Sequence, residues 1–355
     1  MEAHREARAR EGFLLGCDRG RVPQGVPARD PPRETATRQR VNQPAAGAPD
    51  AFLVGIDVGG SAVKCGIVTA DGKVVAQDSI AAGEDTRACD LFCSVAQRVL
   101  QLAPGPIRRV GVGLPGLLDR AGGRVLDSPN LPWLTGADVR GAFSDALGID
   151  PAEVLIENDA NVAALGEAWI GAADGGRDAL IVTLGTGIGG GLLIGGRLHL
   201  GAGLAGEIGH VKIEPNGRPC GCGARGCLET LASARAASRR AVEAGLPAED
   251  PGNLSRLCEE ARRTPGPERE LLRAIGTDLG HGLSAAVALL DLRLFVFAGG
   301  FSAALDQLEP GIRAGLSEWV WGDRVGEIRL VPSTLGASSG WIGAARLTNP
   351  TPIAP

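Results

Sequence analysis

Apolar positions in this chain come in short runs that end at glycine. The first run, at residues 52–57, is broken by the Gly-Gly-Ser segment at 59–61, and further apolar runs follow at 63–68 and 74–80. Short apolar runs bounded by turn residues are typical of buried β-strands. The pattern predicts a strand, a tight turn and two further strands.

The same arrangement returns further along the chain. An apolar run at residues 179–184 breaks at a Gly-Thr-Gly segment and resumes, through three more glycines, at residues 192–194. Two strand–turn–strand units imply two similarly built lobes, with their glycine turns facing each other across a cleft. A duplication of this kind suits a clamp around a nucleotide.

Segments with helical character alternate with the strands, which predicts an α/β fold. We expect a small α/β lobe at residues 51–170, completed by a C-terminal helix at 338–348, and a large lobe at 171–337. The small residues of the last helix would let it pack tightly against the first lobe. Helices are predicted at 85–102, after Asp159, and at 232–244, 253–262, 268–290, 303–319 and 338–347, and additional strands at 110–114, 154–156, 294–298 and 328–331.

Residues 1–50 differ from the rest of the chain. They are rich in Arg, Ala, Pro and Gly and lack apolar periodicity, which predicts a disordered tail that carries no chemistry. The formal net charge of −5 argues against a nucleic-acid partner bound through a basic surface. No apolar run approaches the roughly 20 residues that cross a bilayer, and a signal peptide is not recognisable. We therefore expect a cytoplasmic protein with no membrane partner.

The two glycine turns are candidates for phosphate binding, because each combines converging backbone N–H groups with a hydroxyl side chain. A single turn of this kind is more often a plain hairpin, so the evidence lies in the pair. Neither matches the P-loop or the dinucleotide-binding fingerprint. The turns consist of Gly59, Gly60 and Ser61, and of Gly185, Thr186 and Gly187.

Two charged residues accompany the first turn. Asp57 directly precedes it and is a candidate magnesium ligand acting through water. Lys64 follows it on the next predicted strand, where it is either a nucleotide contact or simply an exposed strand residue.

A cluster of histidine and cysteine predicts a zinc site. Glycines between the ligands permit sharp folding around an ion, and reduced thiols or a disulfide are the weaker alternatives. A closed site with four ligands is structural rather than catalytic, and it would hold the flanking Glu207 and Glu229 in a rigid wall able to bind polyol hydroxyls. The predicted ligands are His210, Cys220, Cys222 and Cys227.

Four segments carry a family resemblance: Asp-Val-Gly-Gly-Ser at 57–61, Glu-Asn-Asp-Ala-Asn at 157–161, Glu-Ile-Gly-His at 207–210 and the cysteine-rich segment at 220–229. Together they resemble the ROK family of sugar kinases and sugar-responsive repressors, over about residues 52–347. The resemblance implies a two-lobed actin-like ATPase (ribonuclease H-like) fold with a zinc-binding insertion in the larger lobe, and a homodimer. Ser61 stands where the family usually has Thr, and it keeps the hydroxyl.

The resemblance also implies a hexose kinase that uses ATP with Mg²⁺, most simply a glucokinase that converts glucose and ATP to glucose 6-phosphate and ADP. Asp159 would be the general base, because a sugar hydroxyl needs a proton acceptor during phosphoryl transfer. By position alone, Asp159 could equally be a helix N-cap. The implied sugar contacts are Gly60, Asn130, Asn158, Asp159, Glu207, His210 and Glu229, and the implied nucleotide contacts include Thr186, Gly187, Gly299 and Gly300.

Several alternatives stay open. The acceptor could be another hexose, such as N-acetylmannosamine or fructose, and polyphosphate could replace ATP as donor. A ROK-type repressor would need a helix-turn-helix segment, whose apolar pattern is missing before Phe52. Trp319 and Trp321 are expected to be packing anchors rather than a stacking platform.

Overall fold

The computed structural model of the protein describes residues 52–82, 87–173, 178–246 and 254–349. The predicted tail at 1–50 therefore lies outside the described residues. In the described part of the chain, no helix has both the length and the apolar character needed to span a bilayer. The strands are β1 (Leu53–Val58), β2 (Ala62–Val68), β3 (Val74–Ala81), β4 (Val110–Leu114), β5 (Leu117–Asp119), β6 (Arg124–Asp127), β7 (Val154–Asn158), β8 (Ala179–Leu184), β9 (Ile188–Ile194), β10 (Arg197–Leu198), β11 (Leu294–Ala298) and β12 (Arg329–Pro332).

Helices connect and cover these strands, and six short 3-10 segments occur between them within the described ranges. The α-helices are α1 (Ala88–Leu102), α2 (Val139–Leu147), α3 (Asp159–Ile170), α4 (Glu229–Ala232), α5 (Ala234–Glu243), α6 (Ser255–Arg263), α7 (Pro267–Leu290), α8 (Leu305–Trp319) and α9 (Ser339–Leu347).

The strands form two five-stranded mixed sheets with the same plan. The first has the order β3-β2-β1-β4-β7 and the second the order β10-β9-β8-β11-β12. In each sheet, three consecutive strands pair antiparallel. Two further strands run parallel to the central strand, one pairing with it and the other pairing with that neighbour at the edge of the sheet. The predicted α/β fold and the repeated strand–turn–strand unit are thus confirmed. The glycine turns join β1 to β2 and β8 to β9, at corresponding places in the two sheets.

Helices α3 and α9 lie between the sheets. α9 packs on β1, β2 and β4 of the first sheet, α3 packs on β8 and β9 of the second, and the two helices pack on each other. Glycine makes this approach possible: a Cβ atom at Gly111 would overlap the carbonyl oxygen of Ala344, and one at Gly343 would overlap that of Val162. The close packing fixes the start of α3, which carries Asp159.

One local prediction holds with a shifted boundary and another is wrong. The helix expected at 232–244 is α5, which begins after Ser233 because the hydroxyl of Ser233 accepts a hydrogen bond from the N–H of Ala236 (3.1 Å) and caps the helix. Trp321 is 96% exposed and Trp319 is 50% exposed, so neither is a packing anchor. The ring of Trp319 instead stacks on His281 of α7, with ring centroids 4.2 Å apart.

Candidate active site

Asp159 lies where β7 passes directly into α3. Asn158, the last residue of β7, is the N-cap of the helix: its side-chain oxygen accepts hydrogen bonds from the N–H groups of Ala160 (3.0 Å) and Asn161 (3.3 Å). The N-cap alternative for Asp159 is therefore wrong, since Asp159 is the first residue inside the helix. Capping by Asn158 leaves the Asp159 carboxylate on the wall of a cavity.

Burial raises the pKa of two carboxylates in this region. It raises the pKa of Asp159, an effect that a hydrogen bond from the N–H of Ala160 partly opposes. Burial, followed by the charge of Asp159, raises the pKa of Asp57 to about 7, while Lys64 on the neighbouring strand opposes the rise. A carboxylate with a raised pKa is a stronger proton acceptor, and a cation beside Asp57 would lower its pKa again.

A buried ion pair between Glu157 and Arg120 stabilises the junction of β7 and α3. The carboxylate of Glu157, with 6% of its side chain exposed, pairs with the guanidinium of Arg120 at an Nε–Oε2 distance of 2.8 Å. It also accepts hydrogen bonds from the backbone N–H of Asn158 (2.8 Å) and from Nδ2 of Asn161 (2.9 Å). Arg120 lies in the turn of the β5–β6 hairpin. The sequence interpretation missed this residue, because its only signal was a lone Arg in a segment without clear periodicity.

The predicted sugar contacts line one cavity, of about 350 Å³, which we call the sugar-side cavity. Elements from both halves of the fold contribute: the first glycine turn, the β7–α3 junction, the segment after β10 and the start of α4. The carboxylate of Glu229 is oriented by the backbone N–H of Ile188, which donates to it at 2.9 Å. The residues brought together are Gly60, Asn130, Asn158, Asp159, Glu207, His210 and Glu229.

A second cavity, of about 600 Å³, adjoins the first, and we call it the nucleotide cavity because predicted nucleotide contacts line it. Gly60, Gly185 and Thr186 line both cavities, so the two meet at the glycine turns. Among the predicted nucleotide contacts, Ser61 and Gly300 line the second cavity. Side chains of α6 and its N-cap, and of the segment before α8, also line it. The sequence interpretation named none of them as nucleotide contacts: Leu254, Cys258, Glu259, Arg262 and Phe301.

The remaining predicted nucleotide contacts fall elsewhere. Gly59, Gly187 and Gly299 line the sugar-side cavity. Asp57 and Lys64 face each other across β1 and β2, and neither is among the residues that line the two cavities. Lys64 is half-buried, so it is not the exposed strand residue of the alternative interpretation.

The four predicted metal ligands converge beside the sugar-side cavity. Their ligand atoms all lie within 4.8 Å of one another. Nδ1 of His210 is 3.6 Å from Sγ of Cys220, and Sγ of Cys222 is 3.7 Å from Sγ of Cys227. Zn–S bonds of about 2.3 Å in a tetrahedron separate the sulfur atoms by roughly 3.8 Å. The donor set and its spacing therefore fit a zinc ion.

The imidazole of His210 links this cluster to the cavity. Its Nδ1 faces the cysteine thiols, whereas its Nε2 is 3.9 Å from Oε2 of Glu207, which lines the cavity. A metal ion bound at Nδ1 would fix the plane of the ring and so the direction of Nε2.

The comparisons with known proteins agree on one family. The model of the ROK family matches residues 53–350. The chain is 32% identical over 314 residues to a glucokinase of Thermotoga maritima, covering 84% of this chain and 98% of that protein. It is 27% identical to the xylose repressor of Bacillus subtilis, covering 83% of this chain and 76% of the repressor.

A solved structure gives the same result in three dimensions. The ROK family glucokinase of Streptomyces griseus, crystallised in complex with glucose and AMPPNP, superposes with a TM-score of 0.71 at 30% identity and covers 83% of this chain and 98% of its own. The family match spans nearly all of the described residues. The chain therefore belongs to the ROK family.

Proposed function

We propose that the protein is an ATP-dependent hexose kinase, with glucose as the first candidate acceptor. The observation that carries the proposal is the meeting of the two cavities at Gly60, Gly185 and Thr186. A nucleotide in the larger cavity would point its phosphates toward the smaller one, where Asp159 lies on the wall. This is the geometry that phosphoryl transfer to a hydroxyl requires.

In this proposal Asp159 accepts the proton of the attacking hydroxyl. A sugar hydroxyl has a pKa far above 7, so a nearby carboxylate speeds its reaction with the phosphoryl group. Burial raises the pKa of Asp159, which strengthens it as a base. Backbone N–H groups of the two glycine turns would bind the phosphate oxygens. Magnesium would neutralise part of the triphosphate charge, and Asp57 is the residue we propose to hold it through water.

The acceptor would lie between the polar groups that line the smaller cavity. Asn130, Glu207 and Glu229 offer acceptors and donors for sugar hydroxyls, and the zinc cluster would keep Glu207 and Glu229 in place. We further propose that the two sheets belong to two lobes, with residues 51–170 and 338–348 in the smaller and 171–337 in the larger. Closure of such lobes would exclude water, which otherwise competes as acceptor. A homodimer is part of the same proposal.

Loss of a zinc ligand is expected to weaken sugar binding. We expect Cys222→Ser to reduce the zinc content from about one ion per chain and to raise KM for the hexose, because metal binding and the local fold are coupled. Metal analysis and steady-state kinetics would measure both. Cys93→Ser changes an exposed thiol on α1 and serves as control. Active wild-type protein without zinc would contradict the assignment.

A panel of sugars tests the proposed reaction. Purified protein is assayed with glucose, N-acetylmannosamine and fructose, with ATP or polyphosphate as donor, and the Asp159→Asn variant is assayed in parallel. We expect ATP-dependent formation of a hexose phosphate, with the highest kcat/KM for one of these sugars. If none of them is phosphorylated but one still binds, the protein is a sugar-responsive binding protein and the kinase proposal fails.

A further inference from the structure

Three arginines line a third cavity, of about 300 Å³, beside the segment at 210–229 that carries the four predicted zinc ligands and that we call the zinc loop. They are Arg218, which precedes the cysteine ligands, and Arg235 and Arg239 on helix α5. We call this space the arginine cavity. Its wall also includes Thr186 and Glu229, both of which line the sugar-side cavity. The arginine cavity is thus an extension of the proposed active site.

The guanidinium groups are only partly satisfied within the protein. The Nη2 atom of Arg239 donates to the carbonyl oxygen of Thr230 (2.7 Å), but its Nε atom is buried and has no hydrogen-bond partner within the described residues. Arg218 pairs with Glu243 at 2.8 Å, and the same carboxylate is 3.7 Å from Nε of Arg239. A ligand in the cavity cannot reach that buried atom, but 30% of the Arg239 side chain is exposed, so other N–H groups of its guanidinium can donate to a ligand that accepts hydrogen bonds.

Arg235 adds a charge where a helix does not favour it. It lies in the first turn of α5, whose N-terminal end already carries a positive partial charge. The N–H of Ala234 in the same turn donates to the carbonyl oxygen of Gly185 (2.9 Å), which attaches the helix end to the second glycine turn. An arginine here adds to the positive potential beside Thr186.

Carboxylates do not cancel these charges. Glu243 serves Arg218 and Arg239 together, and Glu229 accepts its hydrogen bond from Ile188 on the sugar side. Glu243 is thus shared between two of the three guanidinium groups. Guanidinium groups bind phosphate oxygens through paired hydrogen bonds. The site therefore matches an anion with several acceptor oxygens.

We propose that the arginine cavity binds a phosphate-bearing anion in addition to the phosphates of ATP. Thr186 lines the nucleotide, sugar-side and arginine cavities alike, so the anion would lie beside the phosphoryl group in transfer. Two sources share this chemistry: an inorganic phosphate chain, and the phosphoryl group of a hexose phosphate. What the bound anion does rests on the proposed function, but its binding does not.

Calorimetric titration with tripolyphosphate tests the site. ADP is titrated first, so that a failure of nucleotide binding, which concerns the proposed function, is recognised separately. Tripolyphosphate is then added to the ADP-saturated protein. We expect it to bind, and we expect Arg218→Gln and Arg239→Gln each to weaken the binding by about tenfold or more, because each removes a charge-assisted hydrogen-bond pair.

Arg225→Gln is the matched control. Arg225 is an exposed arginine of the same loop that does not line the arginine cavity, so tripolyphosphate affinity should change by less than about twofold. ADP affinity of each variant reports whether it is folded, and Arg218 is exposed enough for its replacement to be tolerated. Failure of tripolyphosphate to bind the ADP-saturated wild type, or equal affinity in Arg218→Gln, overturns the proposal.

Two further assays identify the source of the anion. Formation of glucose 6-phosphate from glucose and a phosphate chain without nucleotide would make the chain a phosphoryl donor. Displacement of tripolyphosphate by glucose 6-phosphate would make the hexose phosphate the natural occupant. Either result supports an anion site, and both should be lost together in Arg239→Gln.

Discussion

Replacing Asp159 by Asn is expected to lower kcat by about 10²-fold or more. The substitution removes the proposed proton acceptor but keeps nearly the same volume. Asn158 caps helix α3, so the melting temperature should change little. Nucleotide affinity should also persist, because the residues proposed to bind the phosphates are those of the glycine turns. Turnover, melting temperature and ADP affinity would be measured on the same preparation.

The pH dependence gives a second measure of this residue. The base must be deprotonated to act, so kcat/KM should fall as the pH is lowered through the pKa of Asp159. Burial raises that pKa, and the fall should therefore begin at a higher pH than for an ordinary aspartate. Asp138→Asn, at the N-cap of α2 and away from the cavities, is the control. Near wild-type turnover in Asp159→Asn would mean that another group is the base.

The second large effect is expected for Arg120→Met. This change leaves the Glu157 carboxylate buried without its cation, and breaking a buried ion pair in this way costs roughly 3–5 kcal/mol of the unfolding free energy. We expect the lower part of that range, because 27% of the Arg120 side chain is exposed. Glu157 also accepts a hydrogen bond from the N–H of Asn158, next to Asp159. We expect the β7–α3 junction to shift when the ion pair is lost, and kcat/KM to fall by about 10- to 100-fold.

Two variants separate these effects. Arg124, the first residue of β6 in the same hairpin, forms an exposed ion pair with Asp138. Breaking this pair by Arg124→Met should cost no more than about 1 kcal/mol of the unfolding free energy. Arg120→Met combined with Glu157→Gln removes the uncompensated charge, so it should recover stability without recovering kcat/KM. Denaturant unfolding and steady-state kinetics would measure both. Equal unfolding free energies for Arg120→Met and Arg124→Met would refute the role of the ion pair.

The sequence was sufficient for the strands and turns that form the cavities. Runs such as 110–114, 179–184 and 294–298 are buried on both faces, so their apolar character is continuous and their ends coincide with those of β4, β8 and β11. The motif residues also converge as expected, because they lie at strand ends and in the glycine turns between strands. Their individual roles stay predictions.

Other features depend on contacts that local patterns do not encode. The β5–β6 hairpin has strands of three and four residues, too short to show a period, and so the partner of Glu157 was missed. Ser233 ends one helix and caps the next. The N–H of Ala234 at the start of the second helix donates to the carbonyl oxygen of Gly185, a tertiary contact that stabilises the break. The arginine cavity joins the zinc loop to α5, and only the fold brings those two segments together.

Helix α9 has a consequence for the order in which the protein folds during synthesis. The first sheet contains β1, among the earliest described segments to leave the ribosome, yet β1, β2 and β4 are covered by α9, among the last. Until α9 emerges, one face of that sheet lacks its cover, and contacts of such high sequence separation form slowly. Nascent chains halted before residue 339 should therefore expose apolar surface and recruit chaperones, although all strands of the first sheet have already been made.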